Sequence, residues 1–431
     1  MTKTGKYYLG GLDWMIQTMW RATMRHTGGV GNASQIVLQL SGMLDEGLFS
    51  AAVREFAKAF PVLDGRESRM GSVLPFWRMP RKPEPPQIRV DVHRIKATAV
   101  FQTLEALVNT PFRSRNEYVV FHLLYPSEGG CLVALTFDHR LLDARGAEQF
   151  LLLLSRFFSG EVALGAIDAM PDPSPQGLVA PIKEGISSAR CVGETVHRNV
   201  IGSGMIRLDE GGKAKGNRGR FLLHTLTEQE TSDWLGRVDR DAGYLMFMPY
   251  ALAAASTAFG KIAALKKRSG SFIVPCTTDL RPTGLSWKNT FFNHCSIFFF
   301  KVDAAVANDR AELIARFKSQ FFNQTKAGFP RQFERFMALM RLVPLPLFEG
   351  LNAWNHASFS LGSVGKSLFE GETFCGHAIK KLYHMPLIPP QVGLGFFFSQ
   401  INGRLTLGMA WRDGALTDRE IKDVEAAFLA F

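Results

Sequence analysis

Cysteine is scarce and scattered in this chain of 431 residues: five in all, at Cys131, Cys191, Cys276, Cys295 and Cys375, with no C-x-x-C pair. An odd, dispersed set excludes a disulfide-stapled scaffold and reads as reduced, mostly buried thiols in a reducing compartment. Long hydrophobic runs are lacking too. The longest apolar stretch, Leu245 to Phe259, contains Pro249 and several alanines, and falls short of the roughly 20 residues a spanning helix needs. Met1 to Tyr8 is polar and basic with no apolar stretch behind it, so no signal peptide is expected and the expected location is cytoplasmic. There is no GxGxxG between a strand and a helix, no P-loop and no G-x-S-x-G elbow, which removes the main support for nucleotide-dependent and serine-hydrolase chemistry. His377 and His384 flank Lys380 and Lys381, and neither they nor any cysteine shows ligand spacing; no metal site and no bound cofactor are expected.

What is present is the composition of an ordinary globular protein, 46% hydrophobic and 21% charged, with length for two or three domains or two large lobes. Phenylalanine dominates the aromatics, 35 against 7 tyrosines and 7 tryptophans, a load that suits a large core or a greasy tunnel wall. The net charge of +11 favours anionic partners without choosing among them. The basic residues are dispersed, so no nucleic-acid module is expected.

Along the chain, Ile36, Leu38 and Leu40 alternate as in a strand, and Leu48, Ala52, Val53, Phe56 and Phe60 recur at helical steps up to Pro61. Arg78 to Pro86, with four prolines, reads as a surface loop. Two apolar runs, Tyr118 to Tyr125 and Cys131 to Phe137, flank a Gly129-Gly130 turn and predict a hairpin whose second strand is interior. Asp138-His139-Arg140-Leu141-Leu142-Asp143-Ala144-Arg145-Gly146 follows at once, and then an apolar helix from Ala147 to Phe158. Between Gly165 and Gly204 prolines accumulate and periodicity lapses, which reads as a linker. The second half predicts strands at Phe221 to Leu226, Phe272 to Asp279 and Ser296 to Val302, and helices over Thr227 to Arg240, Met248 to Lys267 and Asn308 to Phe322, the last with Asn308 as N-cap. Asn402-Gly403 marks a hairpin, and Thr417 with Glu420 a capping box before the final helix. Strands and helices mix in both halves, so the fold class is α/β or α+β: residues 1–170 as N-terminal lobe, 171–204 as crossover linker and 205–431 as C-terminal lobe.

His139 and Asp143 are the residues most able to carry chemistry. An imidazole at the exit of a buried strand can act as general base on a hydroxyl or amine if its tautomer is fixed. Asp143 could hold that imidazole directly, or it could orient the loop by pairing with a cation. The plainer reading is a surface histidine beside an aspartate paired with Arg140 or Arg145.

At these residues the sequence resembles the chloramphenicol-acetyltransferase-like acyltransferases, which include peptide-synthetase condensation domains and wax-ester synthases and carry the signature HHxxxDG. Here Asp138 stands for the first His and Ala144 for the Gly, with a glycine only at Gly146. Leu40-Ser41-Gly42, the ending Phe60-Pro61-Val62-Leu63, Asn109-Thr110-Pro111-Phe112, Thr278-Asp279-Leu280-Arg281-Pro282 with Asn289 to Asn293 behind it, and Phe359-Ser360-Leu361-Gly362 resemble the family's other segments in order. The resemblance implies two similar lobes, each a mixed sheet with helices, meeting at a central tunnel. It implies His139 as the base, Asp143 as a structural partner of Arg281, support from Asp279 and Gly146, and Ser360 as a guess at an oxyanion donor. Asp138 would add a carboxylate beside His139 and raise its basicity. Ala144 would cost of order 1 kcal/mol if the loop demands positive φ there, unless Gly146 serves as the pivot.

The expected function is therefore an acyltransferase that moves an acyl group from a thioester, acyl-coenzyme A or the phosphopantetheine of an acidic acyl carrier protein, to a hydroxyl or amine acceptor. The alternatives are a catalytically degenerate relative kept as a binding or scaffold protein, and a condensation-type amide-forming enzyme acting in trans. The basic loop Gly211 to Arg220 could grip phosphates or a carrier's acidic helix, though a solvated loop is the plainer reading. Phe329 to Arg341, an amphipathic stripe with interleaved arginines, could cover the tunnel or touch a membrane, or be an ordinary packed helix.

Overall fold

The computed structural model describes residues 6–27, 29–70, 73–79, 88–168, 179–200, 204–208, 218–353, 357–389 and 392–431. β1 (Lys6–Tyr8) and α1 (Gly11–Thr27) lead to β2 (Ala33–Leu40). In β2, Ile36, Leu38 and Leu40 enter one core while Val37 enters another, so both faces are covered. α2 (Glu46–Ala57) starts where the Asp45 carboxylate accepts the Leu48 N–H at 2.7 Å, and buries Phe49, Val53 and Phe56. β3 (Arg66–Met70) and β4 (Val73–Arg78) form a small antiparallel sheet with β1. The reading of Arg78 to Pro86 as a loop falls mostly outside the described residues. β5 (Arg89–Ile95) runs through α3 (Val100–Val108) to its parallel neighbour β6 (Val119–Pro126). β6 turns at Gly129 and Gly130, both at positive φ, into β7 (Cys131–Asp138), every residue of which is buried. α4 (Ala144–Phe158) then runs buried from Gly146 to Ser155.

Residues 179–199 correct the reading of a patternless linker: they form α5 (Val179–Asn199). Its buried line is Gly185, Ser188, Val192 and Asn199, mostly small or polar residues, so no apolar stripe marks the helix. The basic loop lies, from Gly211 to Asn217, outside the described residues. β8 (Gly219–Thr225), α6 (Glu228–Asp241) with its Thr227–Glu230 capping box, α7 (Phe247–Leu265), β9 (Ser271–Asp279) and β10 (Cys295–Asp303) follow. α8 (Arg310–Lys326) is capped by Asp309, not Asn308, through a 3.0 Å bond from the Glu312 N–H. Next come α9 (Phe329–Met340), α10 (Leu345–Ala353), β11 (Ser360–Lys366), β12 (Thr373–Phe374), β13 (His377–Pro386), β14 (Leu394–Ile401), β15 (Arg404–Arg412) and α11 (Asp418–Leu429). Asn402 and Gly403 both take the positive φ that joins β14 to β15.

Two six-stranded mixed sheets organise the molecule, ordered β12-β13-β2-β7-β6-β5 and β10-β9-β11-β14-β15-β8. Late strands thus cross into the first lobe, where β13 pairs antiparallel with β2 (Leu382 opposite Leu38), and the stretch 205–431 is not one lobe in space. The second lobe returns another hook through Phe291 and Phe292, both buried in the first lobe's core. Phe292 sits at φ 69° and stacks on Tyr7 with ring centroids 4.4 Å apart. Left-handed backbone costs about 1–2 kcal/mol for a bulky residue, and burial of one such ring, worth about 1.5–3 kcal/mol, offsets it. On α9, Phe329, Phe333 and Met337 pack against Leu12, Trp14 and Val192. The amphipathic stripe is therefore covered by α1 and α5, as the plainer reading of an ordinary packed helix has it, and is not left open toward a membrane. Among the described residues no helix is long and apolar enough to cross a membrane.

Candidate active site

β7 ends at Asp138 and places His139 at the seam between the lobes. The backbone fixes that position: the His139 N–H donates to the Asn32 carbonyl at 3.2 Å, and Asn293 Nδ2 donates to the His139 carbonyl at 3.1 Å. Asn293 is held in turn by buried Asp13, whose carboxylate accepts its backbone N–H at 2.8 Å and its Nδ2 at 3.2 Å. Burial pushes the Asp13 carboxyl above the usual carboxylate range, against the hydrogen bonds from Asn293 and Gly10. The sequence reading missed Asp13 and named Asn293 only as the end of a segment, without a role, and nothing near Asp13 in the sequence signals a contact 280 residues away.

The carboxylate next to His139 is engaged elsewhere. Asp138 accepts from Arg140 Nη2 at 2.7 Å and from Nε at 3.0 Å, and that guanidinium lies 3.7 Å from the Trp20 ring centroid. Arg140 thus neutralises the charge that was expected to act on the imidazole. Nor does Asp143 hold the ring. Its Oδ1 and Oδ2 accept from Arg281 Nη2 and Nη1 at 2.7 and 3.0 Å, with further bonds from the Gly146 and His294 backbone N–H groups at 2.8 and 2.9 Å. Burial alone would raise the Asp143 carboxyl, but the Arg281 charge and these bonds outweigh it and hold it at about 2. Arg281 spends its remaining donors on Asp279 Oδ1, at 3.1 Å, and on the Asn289 carbonyl. His139 Nδ1 is buried and has no hydrogen-bond partner among the described residues.

Ala144 carries no strain. It opens α4 directly after Asp143, the N-cap, and is absent from the residues at positive φ. Gly146 is not a pivot either; it is helical and needed for close approach, because a Cβ there would stand 2.2 Å from the Thr290 carbonyl and 3.2 Å from Arg281 Nη2. Gly146→Ala gains roughly 1 kcal/mol of helix propensity yet is expected to lose about 1–3 kcal/mol net by forcing the lobes apart. Denaturant unfolding of the two proteins measures it; an equally stable variant would remove this contact from the interface.

His139, Asp143 and Arg281 line a cavity between the lobes, together with Thr277, Thr278, Asp279, Cys295, Ser363 and Phe397. Its accessible volume is about 150 Å³, below the roughly 300–1,000 Å³ of typical ligand pockets, and only the space counted with its open end reaches about 830 Å³. Ser360 is not among the lining residues; three positions further along β11, Ser363 is. Burial pushes the Cys295 thiol far above its ordinary value, so it stays protonated and a poor nucleophile. At the cavity's other wall His384 Nε2 lies 3.0 Å from Oε1 of fully buried Glu148, which Arg145 also binds at 2.8 Å. Burial would raise the Glu148 carboxyl, but His384 and Arg145 hold it below the usual range.

The chain matches no family model and no curated protein in sequence. In structure it is similar to the first condensation domain of the CDA synthetase, at TM-score 0.71 and 12% identity over 99% of this chain and 95% of that one. It is also similar to the TRI3 trichothecene 15-O-acetyltransferase from Fusarium sporotrichioides, at TM-score 0.68 and 14% identity over 99% and 95%. A variant of the starter condensation domain of rhizomide synthetase RzmA, solved with C8-CoA and Leu-SNAC, aligns at TM-score 0.63 and 12% identity over 99% and 93%. At such identities the likeness is one of fold. The chain has the two-lobed mixed α/β fold of condensation domains and chloramphenicol-acetyltransferase-like acyltransferases.

Proposed function

We propose that this protein is an acyltransferase that moves an acyl group from a thioester to a hydroxyl or amine acceptor, with His139 as general base. One observation carries the reading: His139 lines a cavity shared by both lobes, while Asp138 and Asp143 beside it are each bound to their own arginine. With Nδ1 buried, the nitrogen that can reach an acceptor is Nε2. In the proposed step Nε2 takes the acceptor's proton as its oxygen or nitrogen attacks the thioester carbonyl. The tetrahedral intermediate then expels the thiolate, which recovers that proton from the imidazolium, so a C–O or C–N bond replaces the C–S bond. No acyl-enzyme is required, in keeping with a protonated Cys295. Thr277, Thr278 and Ser363 supply hydroxyl donors on the cavity wall, in place of Ser360, for the carbonyl oxygen. The net charge of +11 suits an anionic donor such as acyl-coenzyme A or an acyl carrier protein.

The test is thiol release from a panel of acyl-coenzyme A and acyl-carrier thioesters, with alcohols and amines offered as acceptors. Release that requires both substrates, with an ester or amide product by mass, is the expected result. Release independent of acceptor would make the protein a thioesterase. Thioester binding without turnover across the panel would make it a binding protein that keeps the fold.

A further inference from the structure

On the face of the first sheet beneath α3, far from any described role, three side chains with metal-ligand chemistry converge. Asp91 and His93 lie two residues apart on β5 and so share one face; His122 on β6 is the parallel register partner of Asp91. His93 Nε2 is 3.3 Å from His122 Nδ1, and His122 Nδ1 is 3.8 Å from Asp91 Oδ2, with all three atoms within 4.8 Å of one another. Around a tetrahedral zinc ion with bonds of about 2.0–2.1 Å, neighbouring ligand atoms stand about 3.3–3.4 Å apart. The two imidazoles already have that spacing, and Asp91, a quarter exposed, needs only a small rotation. One charge competes: Arg89 pairs with Asp91. It has a second carboxylate in Glu117, 2.9 Å from its Nε, to which it can remain bound when a cation takes Asp91.

We propose that Asp91, His93 and His122 form a binding site for a divalent transition metal, zinc first, that clamps the edge strand β5 to β6. Two nitrogens and one oxygen suit zinc over magnesium or calcium, and three protein ligands leave a fourth position for water. The expectation of no metal site weighed only His377, His384 and the cysteines by their spacing in sequence. The D-x-H on one strand and the lone polar residue His122 inside an apolar run were the signal, and only the parallel pairing of β5 with β6 joins them.

The test is independent of acyl transfer. Full-length, tag-free protein stripped with a chelator is titrated with Zn²⁺ and with Co²⁺, beside His93→Gln and Asp91→Asn, both at partly exposed positions. One equivalent of zinc should bind, survive excess Mg²⁺ and raise the melting temperature, and each variant should bind at least about tenfold more weakly. The Co²⁺ complex of the wild type should show nitrogen–oxygen ligand-field bands with no thiolate charge-transfer band. Absence of zinc binding, undiminished binding in the two folded variants, or a thiolate band from one of the five cysteines would each overturn the assignment. Should a variant fail to fold, the wild-type Co²⁺ spectrum decides by itself.

Discussion

His139→Ala is expected to lower acceptor-dependent thiol release by about 10²–10⁴-fold, the range of general-base contributions, or about 3–5 kcal/mol of transition-state stabilisation. The same variant should fold as the wild type does. The imidazole is half-buried, its Nδ1 has no partner among the described residues to orphan, and the bonds to Asn32 and from Asn293 use backbone atoms that alanine retains. That separation of activity from stability makes the measurement decisive. kcat/KM for one productive thioester–acceptor pair, read beside a denaturation curve, should show a large fall in the first and little change in the second. A loss under tenfold in a folded protein would mean that the imidazole is not the base. Equal thioester binding by both proteins with no turnover in either would favour the scaffold reading.

Much of the architecture was legible because local rules dominate there. The hairpin turns at Gly129-Gly130 and Asn402-Gly403, the capping boxes at Thr227 and Thr417 and the buried strand β7 each follow from a few neighbouring residues. What depends on the return of distant chain was not. α5 lacks an apolar stripe because the line it packs against α9 and β10 is made of small or polar residues, Gly185, Ser188 and Asn199, with Val192, and β13 gives no sign that it belongs beside β2. At the site, the HxxxD and DLRP motifs mark positions that the fold brings into contact. Asn293, which holds His139 by its backbone, lies at the end of the Asn289 to Asn293 segment without any mark of that role, and Asp13 behind it carries no motif. Ser360 was placed by likeness to a strand pattern, but the strand's path puts Ser363 on the cavity instead.

Arg281→Met should be the most destabilising single change at the lobe interface. Both partners are nearly sequestered, with side-chain exposure of 6% for Arg281 and 4% for Asp143, so removing the guanidinium strands a buried carboxylate. Such half-broken pairs lose about 3–5 kcal/mol. The double variant Asp143→Asn with Arg281→Met should recover part of that loss, because Asn keeps an acceptor for the Gly146 N–H and no charge remains. The pH dependence tests the cause. In the wild type the Asp143 carboxyl is depressed to about 2, below its ordinary 3.8, so its contribution to stability is full above pH 4 and is lost as pH falls toward 2. Without Arg281 burial dominates and lifts the carboxyl above its unfolded value, which reverses the sign: the penalty is greatest near neutral pH and relaxes on acidification. The stability gap between wild type and Arg281→Met should therefore be wide at pH 7 and narrow at pH 4. A gap that is the same at both values would attribute the loss to packing and not to charge. A gap under about 1 kcal/mol at pH 7, the size of an exposed pair, would show that solvent reaches Asp143 and that the interface does not depend on this contact.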